Sequence, residues 1–374
     1  MATGAISTPL EALHVNAGAQ MGTWFGCFLP SRFSSAAEEY RFARQSVALV
    51  DKNYRAYFAF TGPDRARYLN AVLTNNIQDL AAGQGCIALL LNAQGHILAE
   101  IEVYAMVDRH WAASYAMIRE TLGATLDKYI IMDDVTLEDI TDQRAVLALE
   151  GPQVNEILEI LRAPQTDWLT ELGHTETVVA GIPCHLVRRS PGGVPGCEFI
   201  VERSRAEELW RVLSGAVREK GGGPIGYETL NVVRLEAGIP WFGYDFNERQ
   251  IPHEAGLQDT HISYTKGCYT GQEIVERVRS RGHVNRVRVG LRFDGAAPVP
   301  AGTKLFAEGS TPTPSAEDVG TVTRTGLSPA AGSVVGMGYV RAANAAPGSK
   351  LRWAGGSTEI IEFPIGPRAA HSPG

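Results

Sequence analysis

The chain has 374 residues, of which 34 are Lys or Arg and 41 are Asp or Glu, so its formal net charge is −7. This mildly acidic balance argues against general affinity for nucleic acid or for an anionic membrane surface. With 44% hydrophobic residues, the chain is expected to fold into two or three domains of about 100–200 residues each.

The five cysteines show no spacing typical of a disulfide framework or a zinc ribbon. They are Cys27, Cys86, Cys184, Cys197 and Cys268. Their odd number and the lack of any C-x-x-C pair favour a reducing, cytoplasmic compartment. The first thirty residues lack Lys, Arg and a long apolar core, and no apolar run is long enough to span a bilayer, so neither a secretory signal nor a membrane partner is expected.

The first predicted elements are a helix at residues 35–47 and a strand around residues 57–61, which ends at Gly62-Pro63-Asp64. The segment from Phe58 to Asp64 is echoed 89 residues later by the segment from Leu147 to Gln153. Either the chain contains an internal structural repeat, or a common strand–turn–helix unit occurs twice.

Two apolar runs, residues 86–92 and 97–104, flank a glycine turn and predict a β-hairpin. Alternation along the second run places apolar side chains on one face and Glu100 and Glu102 on the other. We expect these two glutamates to be solvated.

Further helices are predicted at residues 114–130, 204–219 and 226–237, the second with a capping box formed by Ser204 and Glu207. After about residue 285 helical periodicity disappears, and short strands alternate with Gly and Pro turns. This final segment therefore predicts a small all-β barrel or sandwich.

The octapeptide at residues 266–273 is the most distinctive motif of the chain. Thr270 and Glu273 have the spacing of a capping box, which would place Cys268 just before a helix N-terminus and two residues from Lys266. Both neighbours would stabilise a thiolate, so Cys268 is a candidate reactive or ligand-contacting thiol. Alternatively, it is a small residue filling a turn while Lys266 points to solvent.

Two further clusters leave alternatives open. Residues 277–292 contain six arginines and no acid, which fits either an anion-binding site or simple solvent exposure. Trp241, Phe242 and Tyr244 could stack on a flat heterocycle or form an apolar plug. Motifs typical of metal, dinucleotide, P-loop or serine hydrolase sites are absent from the sequence, so no metal site is predicted.

The octapeptide Lys-Gly-Cys-Tyr-Thr-Gly-Gln-Glu resembles the signature of the YgfZ family, folate-binding proteins linked to iron–sulfur cluster assembly or repair. The wider chain is similar to the glycine cleavage T-protein, an aminomethyltransferase that uses tetrahydrofolate. The stretches that carry this second resemblance are Thr8 to Glu11, Leu91 to Val103, Arg234 to Gly238 and Tyr339 to Arg341.

This resemblance implies an α+β fold: a three-lobed, cloverleaf-like T-protein body with tetrahydrofolate, or a derivative, in a central channel. Residues 1–285 would form a folate-binding domain of two interleaved lobes, and residues 286–374 a small C-terminal β-barrel domain. Interleaved lobes would also account for the repeated strand–turn–helix.

The same resemblance assigns folate contacts and reveals departures. Glu198 takes the position of the strand glutamate that hydrogen-bonds the pterin, and Arg55 that of a pterin-contacting residue. The arginine that holds the glutamate tail of folate falls at Leu230, which has no charge. The Asp pair of T-proteins falls at Ala99 and Glu100, and alanine cannot accept a proton, so aminomethyl transfer by that route is not expected.

We therefore expect a tetrahydrofolate-binding, YgfZ-like protein that acts in iron–sulfur protein assembly or repair. Cys268 and Lys266 are predicted to be its catalytic thiol and activating cation. Its expected partners are a folate and iron–sulfur client or assembly proteins, with no nucleic acid. The alternative is a folate-dependent aminomethyltransferase in which Glu100 replaces the Asp. A third possibility is a scaffold that has kept the fold but lost folate.

Overall fold

The computed structural model describes residues 5–190, 193–282, 284–313 and 315–365. The chain divides into two compact units, each built from three segments. The first unit takes in the residues up to 90, 99–229 and 260–270. The second takes in residues 91–98, 230–259 and those from 271 onward.

Helices and strands of both units are numbered in chain order. The helices of the described residues are α1 (Glu11–Asn16), α2 (Ala36–Gln45), α3 (Arg65–Val72), α4 (Arg119–Tyr129), α5 (Val154–Ile160), α6 (Ala206–Glu219), α7 (Tyr227–Ala237), α8 (Pro252–Ala255), α9 (Gln258–His261) and α10 (Gln272–Arg281). The first fourteen strands are β1 (Ile6–Ser7), β2 (Gln20–Trp24), β3 (Cys27–Arg32), β4 (Ala48–Asp51), β5 (Arg55–Thr61), β6 (Gly85–Leu91), β7 (Ile97–Ala105), β8 (His110–Tyr115), β9 (Thr136–Asp139), β10 (Arg144–Glu150), β11 (His174–Val179), β12 (Ile182–Arg188), β13 (Gly196–Glu202) and β14 (Gly223–Pro224). The remaining strands are β15 (Arg286–Phe293), β16 (Lys304–Ala307), β17 (Gly320–Ser328), β18 (Ser333–Arg341), β19 (Lys350–Trp353) and β20 (Gly356–Ile361).

The first unit contains two larger sheets. One has five strands in the order β6-β7-β8-β5-β9, and the other has six in the order β11-β12-β13-β10-β4-β14. Tyr57 and Trp111 of the five-stranded sheet pack with Val146 and Ile200 of the six-stranded sheet in one buried cluster. The two sheets that contain β5, β7 and β13 therefore share one core.

The second unit contains a closed six-stranded barrel in the order β15-β18-β17-β16-β19-β20. Its interior is filled by alternating apolar side chains of β15, such as Val289 and Leu291, with Val322, Val340 and Leu351. Closure pairs every strand edge. The predicted α+β class and the predicted C-terminal barrel are both confirmed.

Several predicted helix starts differ from the structure. Ser35 caps α2 by accepting a hydrogen bond from the Glu38 N–H at 3.2 Å. In contrast, α6 begins after a short 3-10 turn with Arg205 at its N-cap, so the predicted Ser204 capping box is wrong. Within the described residues, no helix is long and apolar enough to cross a membrane.

Candidate functional site

A buried cluster of charged side chains lies where β5, β7 and β13 come together in the first unit. Arg55 donates a hydrogen bond from Nη2 to Glu102 Oε1 at 2.9 Å, and Arg189 approaches the same oxygen at 2.8 Å. Tyr104 donates its hydroxyl to Glu102 Oε2 at 2.7 Å. Burial alone would raise the pKa of Glu102, but the two guanidinium groups overcome it and lower the pKa to about 2.

Glu198 lies in the same cluster with its carboxyl unsatisfied. It is 1% exposed, and neither carboxyl oxygen has a hydrogen-bond partner among the described residues. Arg55 Nη2 is 3.9 Å from Glu198 Oε1, which is too long for a hydrogen bond. Burial raises the pKa of Glu198 despite the attraction of Arg55 and Lys52. A buried acceptor without a donor is costly to a fold and is expected where a ligand supplies the donor.

Aromatic rings form a wall beside this cluster. Tyr54 stacks on Phe25 with ring centroids 4.4 Å apart and on Tyr115 at 5.5 Å. Arg55 faces the rings of Tyr54 and Tyr115 at 5.2 and 5.9 Å. Tyr227 completes the wall, 6.0 Å from both Phe25 and Tyr54.

Glu100 and Glu102 are buried, so the prediction that they are solvated is wrong. Their strand face points toward polar partners of the first unit rather than toward water. Tyr115 donates its hydroxyl to Glu100 Oε2 at 2.7 Å, and His261 Nε2 lies 3.1 Å from Glu100 Oε1. These partners satisfy a carboxyl that is only 7% exposed.

The Lys266 side chain hydrogen-bonds to backbone carbonyl groups at the end of α3. Its ammonium donates to the carbonyl oxygens of Asn70, Leu73 and Asn75, the last at 2.9 Å. Because an ammonium has three N–H groups, all of its donors are used. Burial lowers the pKa of Lys266 to about 8. This lysine therefore satisfies the carbonyls that α3 leaves open at its C-terminus.

Cys268 is exposed, while the other four cysteines are buried or half-buried, and all five are free thiols. Burial raises the pKa of Cys86 to about 12.

Helix α10 begins after Gly271 with no side-chain cap among the described residues, so the predicted Thr270–Glu273 capping box is wrong. Gly271 has φ +83°, and a Cβ there would lie 2.6 Å from the Asn92 carbonyl oxygen, so this glycine is required by the close approach of the hairpin turn.

Leu230 and Ala99 are buried apolar residues, 2% and 1% exposed. Neither side chain can pair with a charged group of a ligand. The structure therefore brings Arg55 and Glu198 together in one cluster of the first unit. Leu230 belongs to the second unit, and Cys268 and Lys266 lie on the segment 260–270 of the first.

The two clusters whose role was left open have partners within the chain. Arg277 pairs with Glu273 at 2.7 Å, and Arg288 donates to the carbonyl oxygens of Ala255 and Gly238. The side chain of Arg281 lies outside the described residues. Trp241 and Phe242 are buried, as the plug interpretation expects, and Trp241 packs on the Arg234 guanidinium at 4.5 Å.

Sequence reasoning missed several residues of the site. Arg189 and His261 come from segments distant in sequence from Glu102 and Glu100, and no local pattern marks them. Glu102 was correctly placed on the strand face of Glu100 by its two-residue spacing, but it was expected to be solvated rather than part of the site. The unpartnered Glu198 oxygens and the neighbouring aromatic rings are the kinds of group that a flat heterocycle with N–H donors would require.

The chain matches two protein-family models, described as the GCVT N-terminal domain over residues 10–264 and the glycine cleavage T-protein C-terminal barrel domain over residues 286–356. The curated aminomethyltransferase of Streptomyces avermitilis is 31% identical over 346 residues, which are 91% of each chain. The mitochondrial aminomethyltransferase of Gallus gallus is 32% identical over 93% of this chain and 88% of its own. The glycine cleavage system aminomethyltransferase T of Bartonella henselae, a solved structure, shares the fold with a TM-score of 0.86 at 24% identity, covering 96% of this chain and 98% of its own.

These relatives overturn the function predicted from the octapeptide. The prediction of a YgfZ-like role in iron–sulfur protein assembly or repair is wrong, because relatives that match most of the chain are named aminomethyltransferase. Their names give no support to the predicted iron–sulfur partners. They favour the alternative, folate-dependent aminomethyl transfer. Two residues of the octapeptide have structural roles of their own: Lys266 satisfies the end of α3, and Gly271 accommodates the hairpin turn.

Proposed function

The chain belongs to the glycine cleavage T-protein family, and from this premise we propose that it is an aminomethyltransferase that passes a one-carbon unit to tetrahydrofolate. The names of its relatives give the reaction class. Tetrahydrofolate is the one-carbon acceptor of this family. The observation that carries the proposal is the buried Glu198 carboxyl, which has no hydrogen-bond donor in the described part of the chain.

The residues of the first unit fit a folate ring. A pterin is flat and carries N–H donors, and Glu198 offers two acceptor oxygens at the edge of an aromatic wall that includes Tyr54 and Tyr115. Arg55 is held by Glu102, which raises the pKa of the guanidinium, so its positive charge persists beside Glu198. Bound tetrahydrofolate supplies the nitrogen atoms that take up the one-carbon unit.

Glu100 is the carboxylate that we assign to proton handling. Ala99 cannot hold a proton, whereas Glu100 can accept one at either oxygen. Its two oxygens are fixed by Tyr115 and His261 at 2.7 and 3.1 Å. Burial beside these donors keeps water from competing for the carboxyl, which suits a group that must orient a substrate amine.

Other elements of the predicted site remain proposals. Cys268 and Lys266 as catalytic residues, Leu230 as a folate-contacting position and residues 1–285 as the folate-binding domain stay predictions. A loss of turnover in Cys268→Ala would support the thiol. The cytoplasmic location rests on the cysteine pattern and also stays a prediction.

The decisive assay mixes the protein with tetrahydrofolate and an aminomethylated lipoyl carrier protein and follows methylenetetrahydrofolate. We expect turnover that falls by about 100-fold or more in Glu100→Gln, because the variant loses the proton acceptor. Glu100→Asp keeps a carboxylate and should retain more activity than Glu100→Gln. If the parent protein binds folate but forms no product, the proposed reaction is excluded.

Calorimetry tests the binding half of the proposal. Glu198→Gln should weaken tetrahydrofolate binding by about tenfold or more, because a charge-assisted hydrogen bond is lost. Glu202→Gln is the matched control, since Glu202 lies on the same strand but is exposed. Equal affinities for the Glu198→Gln and Glu202→Gln variants would remove Glu198 from the site.

A further inference from the structure

His261 joins the Glu100 carboxyl to the surface of the first unit. Its Nε2 lies 3.1 Å from Glu100 Oε1, and its Nδ1 lies 2.7 Å from the hydroxyl oxygen of Thr260. Glu100 and His261 are buried, whereas Thr260 is exposed. The three side chains therefore form a continuous hydrogen-bonded path from a buried carboxyl to solvent.

The backbone of His261 is anchored by hydrogen bonds to neighbouring segments. Thr74 donates its hydroxyl to the His261 carbonyl oxygen at 2.6 Å and accepts a hydrogen bond from the Leu89 N–H at 2.8 Å. The Ser263 N–H donates to the Thr74 carbonyl oxygen at 3.0 Å. These contacts tie α9 to β6 and fix the backbone from which the ring reaches Glu100 and Thr260.

We propose that His261 and Thr260 form a proton relay that returns Glu100 to its working protonation state after each turnover. This inference rests on the proposed function, because it takes Glu100 as the group that accepts a proton. A proton on Glu100 Oε1 passes to His261 Nε2 while the Nδ1 proton passes to the Thr260 hydroxyl oxygen. The hydroxyl proton then leaves to water, which returns Glu100 to the carboxylate and leaves the imidazole as its other tautomer. The same path run inward, with a proton from water entering at Nδ1 and the Nε2 proton passing to Glu100, restores the first tautomer and supplies the proton that the departing amine takes from Glu100.

The other groups around Glu100 do not offer a second path for its proton. Tyr115 from β8 is the second titratable group in contact with the carboxyl, and burial beside Glu100 raises the pKa of its phenol well above the ordinary range. It therefore donates a hydrogen bond without releasing its proton. Arg55 of β5 faces the Tyr115 ring and Glu102 follows on β7, but these two pair with each other. Among the described groups in contact with Glu100, His261 is therefore the one that can exchange a proton with it.

The test compares His261→Gln with His174→Gln. Glutamine keeps a hydrogen-bond donor near Glu100 but cannot relay a proton, while His174 is a buried histidine bonded to the Ala105 carbonyl oxygen, away from Glu100. We expect kcat to fall by about tenfold or more in His261→Gln with little change in KM, and added imidazole to restore part of the loss. His174→Gln should keep the parental kcat. A smaller fall is expected in Thr260→Val.

Two results would overturn the relay: an unchanged kcat in His261→Gln, or a loss that imidazole does not relieve. A readout independent of activity is the nitrogen-15 spectrum of the His261 ring in folate-free protein. Glu100→Gln should move the Nε2 signal and Thr260→Val the Nδ1 signal; if neither moves, the hydrogen-bonded path is wrong. A parent protein without aminomethyl transfer would refute the proposed function instead, and the two nitrogen signals would still decide whether the path exists.

Discussion

Two glutamates of the buried cluster have opposite chemistry because their neighbours differ. Glu102 receives two guanidinium groups and a phenol, which lower its pKa, whereas Glu198 is desolvated without a donor in the described chain, which raises its pKa. Glu102 is therefore a structural anion, whereas Glu198 is an acceptor without a hydrogen-bond donor among the described residues. The resemblance to T-proteins predicted folate contacts at Glu198 and Arg55, and the structure places both in this cluster. The partners Glu102 and Arg189 depend on long-range packing, which no local pattern encodes.

Glu102→Gln should lower the free energy of unfolding by about 3 kcal/mol near neutral pH, because the buried Arg55 loses its counterion and the half-buried Arg189 loses one of its two. The depressed pKa fixes the pH dependence. Stability from the ionised carboxylate is fully present above its ordinary pKa of about 4.5 and is lost as the pH falls toward about 2. The difference between parent and variant, measured by urea unfolding, should therefore shrink as the pH is lowered from about 7 to about 3.

Glu171→Gln is the control for this prediction. Glu171 also pairs with Arg189, at 3.0 Å, but it is 47% exposed. An exposed pair contributes about 0–1 kcal/mol, so this variant should unfold close to the parent at every pH. A Glu102→Gln variant that matches Glu171→Gln would show that the buried pairing does not stabilise the unit.

Among the elements, the repeated strand–turn–helix is the part that sequence predicted best. β5 leads into α3 and β10 leads into α5, each through a Gly-Pro turn, and each copy lies in its own sheet. Apolar spacing fixes such units locally, which is why their existence was predictable. Helix starts were less predictable, because α6 begins after Arg205 and α10 after Gly271, and neither N-cap makes the side-chain hydrogen bond that a capping motif in the sequence implies.

Gly62 at the turn between β5 and α3 should tolerate no side chain. Its φ is +97°, and a Cβ would lie 2.2 Å from the Asp134 carbonyl oxygen. Gly62→Ala combines backbone strain with a clash against backbone, so we expect a loss of more than about 2 kcal/mol in the free energy of unfolding. Gly18→Ala separates the two causes, because Gly18 has φ +79° with nothing described within 4 Å of the added Cβ. It should cost only about 1 kcal/mol, and equal losses would refute the clash.

At the scale of the whole molecule, the chain builds each compact unit from three separate segments. The loss of helical periodicity near residue 285 predicted a C-terminal barrel, but it did not indicate that residues 230–259 belong to the same unit. Glu236 accepts a hydrogen bond from the Ser328 hydroxyl at 2.6 Å, and Gly238 closely approaches Phe363. Such contacts join segments far apart in sequence, so periodicity cannot reveal them. The domain boundary at residues 285 and 286 stays a prediction.

Asp245 should couple two of these segments within the second unit. It is fully buried, accepts hydrogen bonds from Arg234 and from the Trp241 N–H, and receives the Thr323 hydroxyl of β17 at 2.5 Å. Asp245→Asn leaves the Arg234 guanidinium buried without its counterion, so we expect the free energy of unfolding to fall by about 3 kcal/mol or more.

Hydrogen exchange measured by mass spectrometry identifies the segments that lose stability in Asp245→Asn. Because Asp245 bonds to both segments, residues 230–237 of α7 and strand β17 should both exchange faster in Asp245→Asn. The control is Asp318→Asn, whose 3.3 Å pair joins a half-buried carboxyl to the exposed Lys304, and which should exchange like the parent. Faster exchange confined to one segment would mean that Asp245 stabilises that segment alone. Faster exchange in both would show that the barrel and residues 230–259 unfold as one cooperative unit, which a boundary drawn at residue 285 does not anticipate.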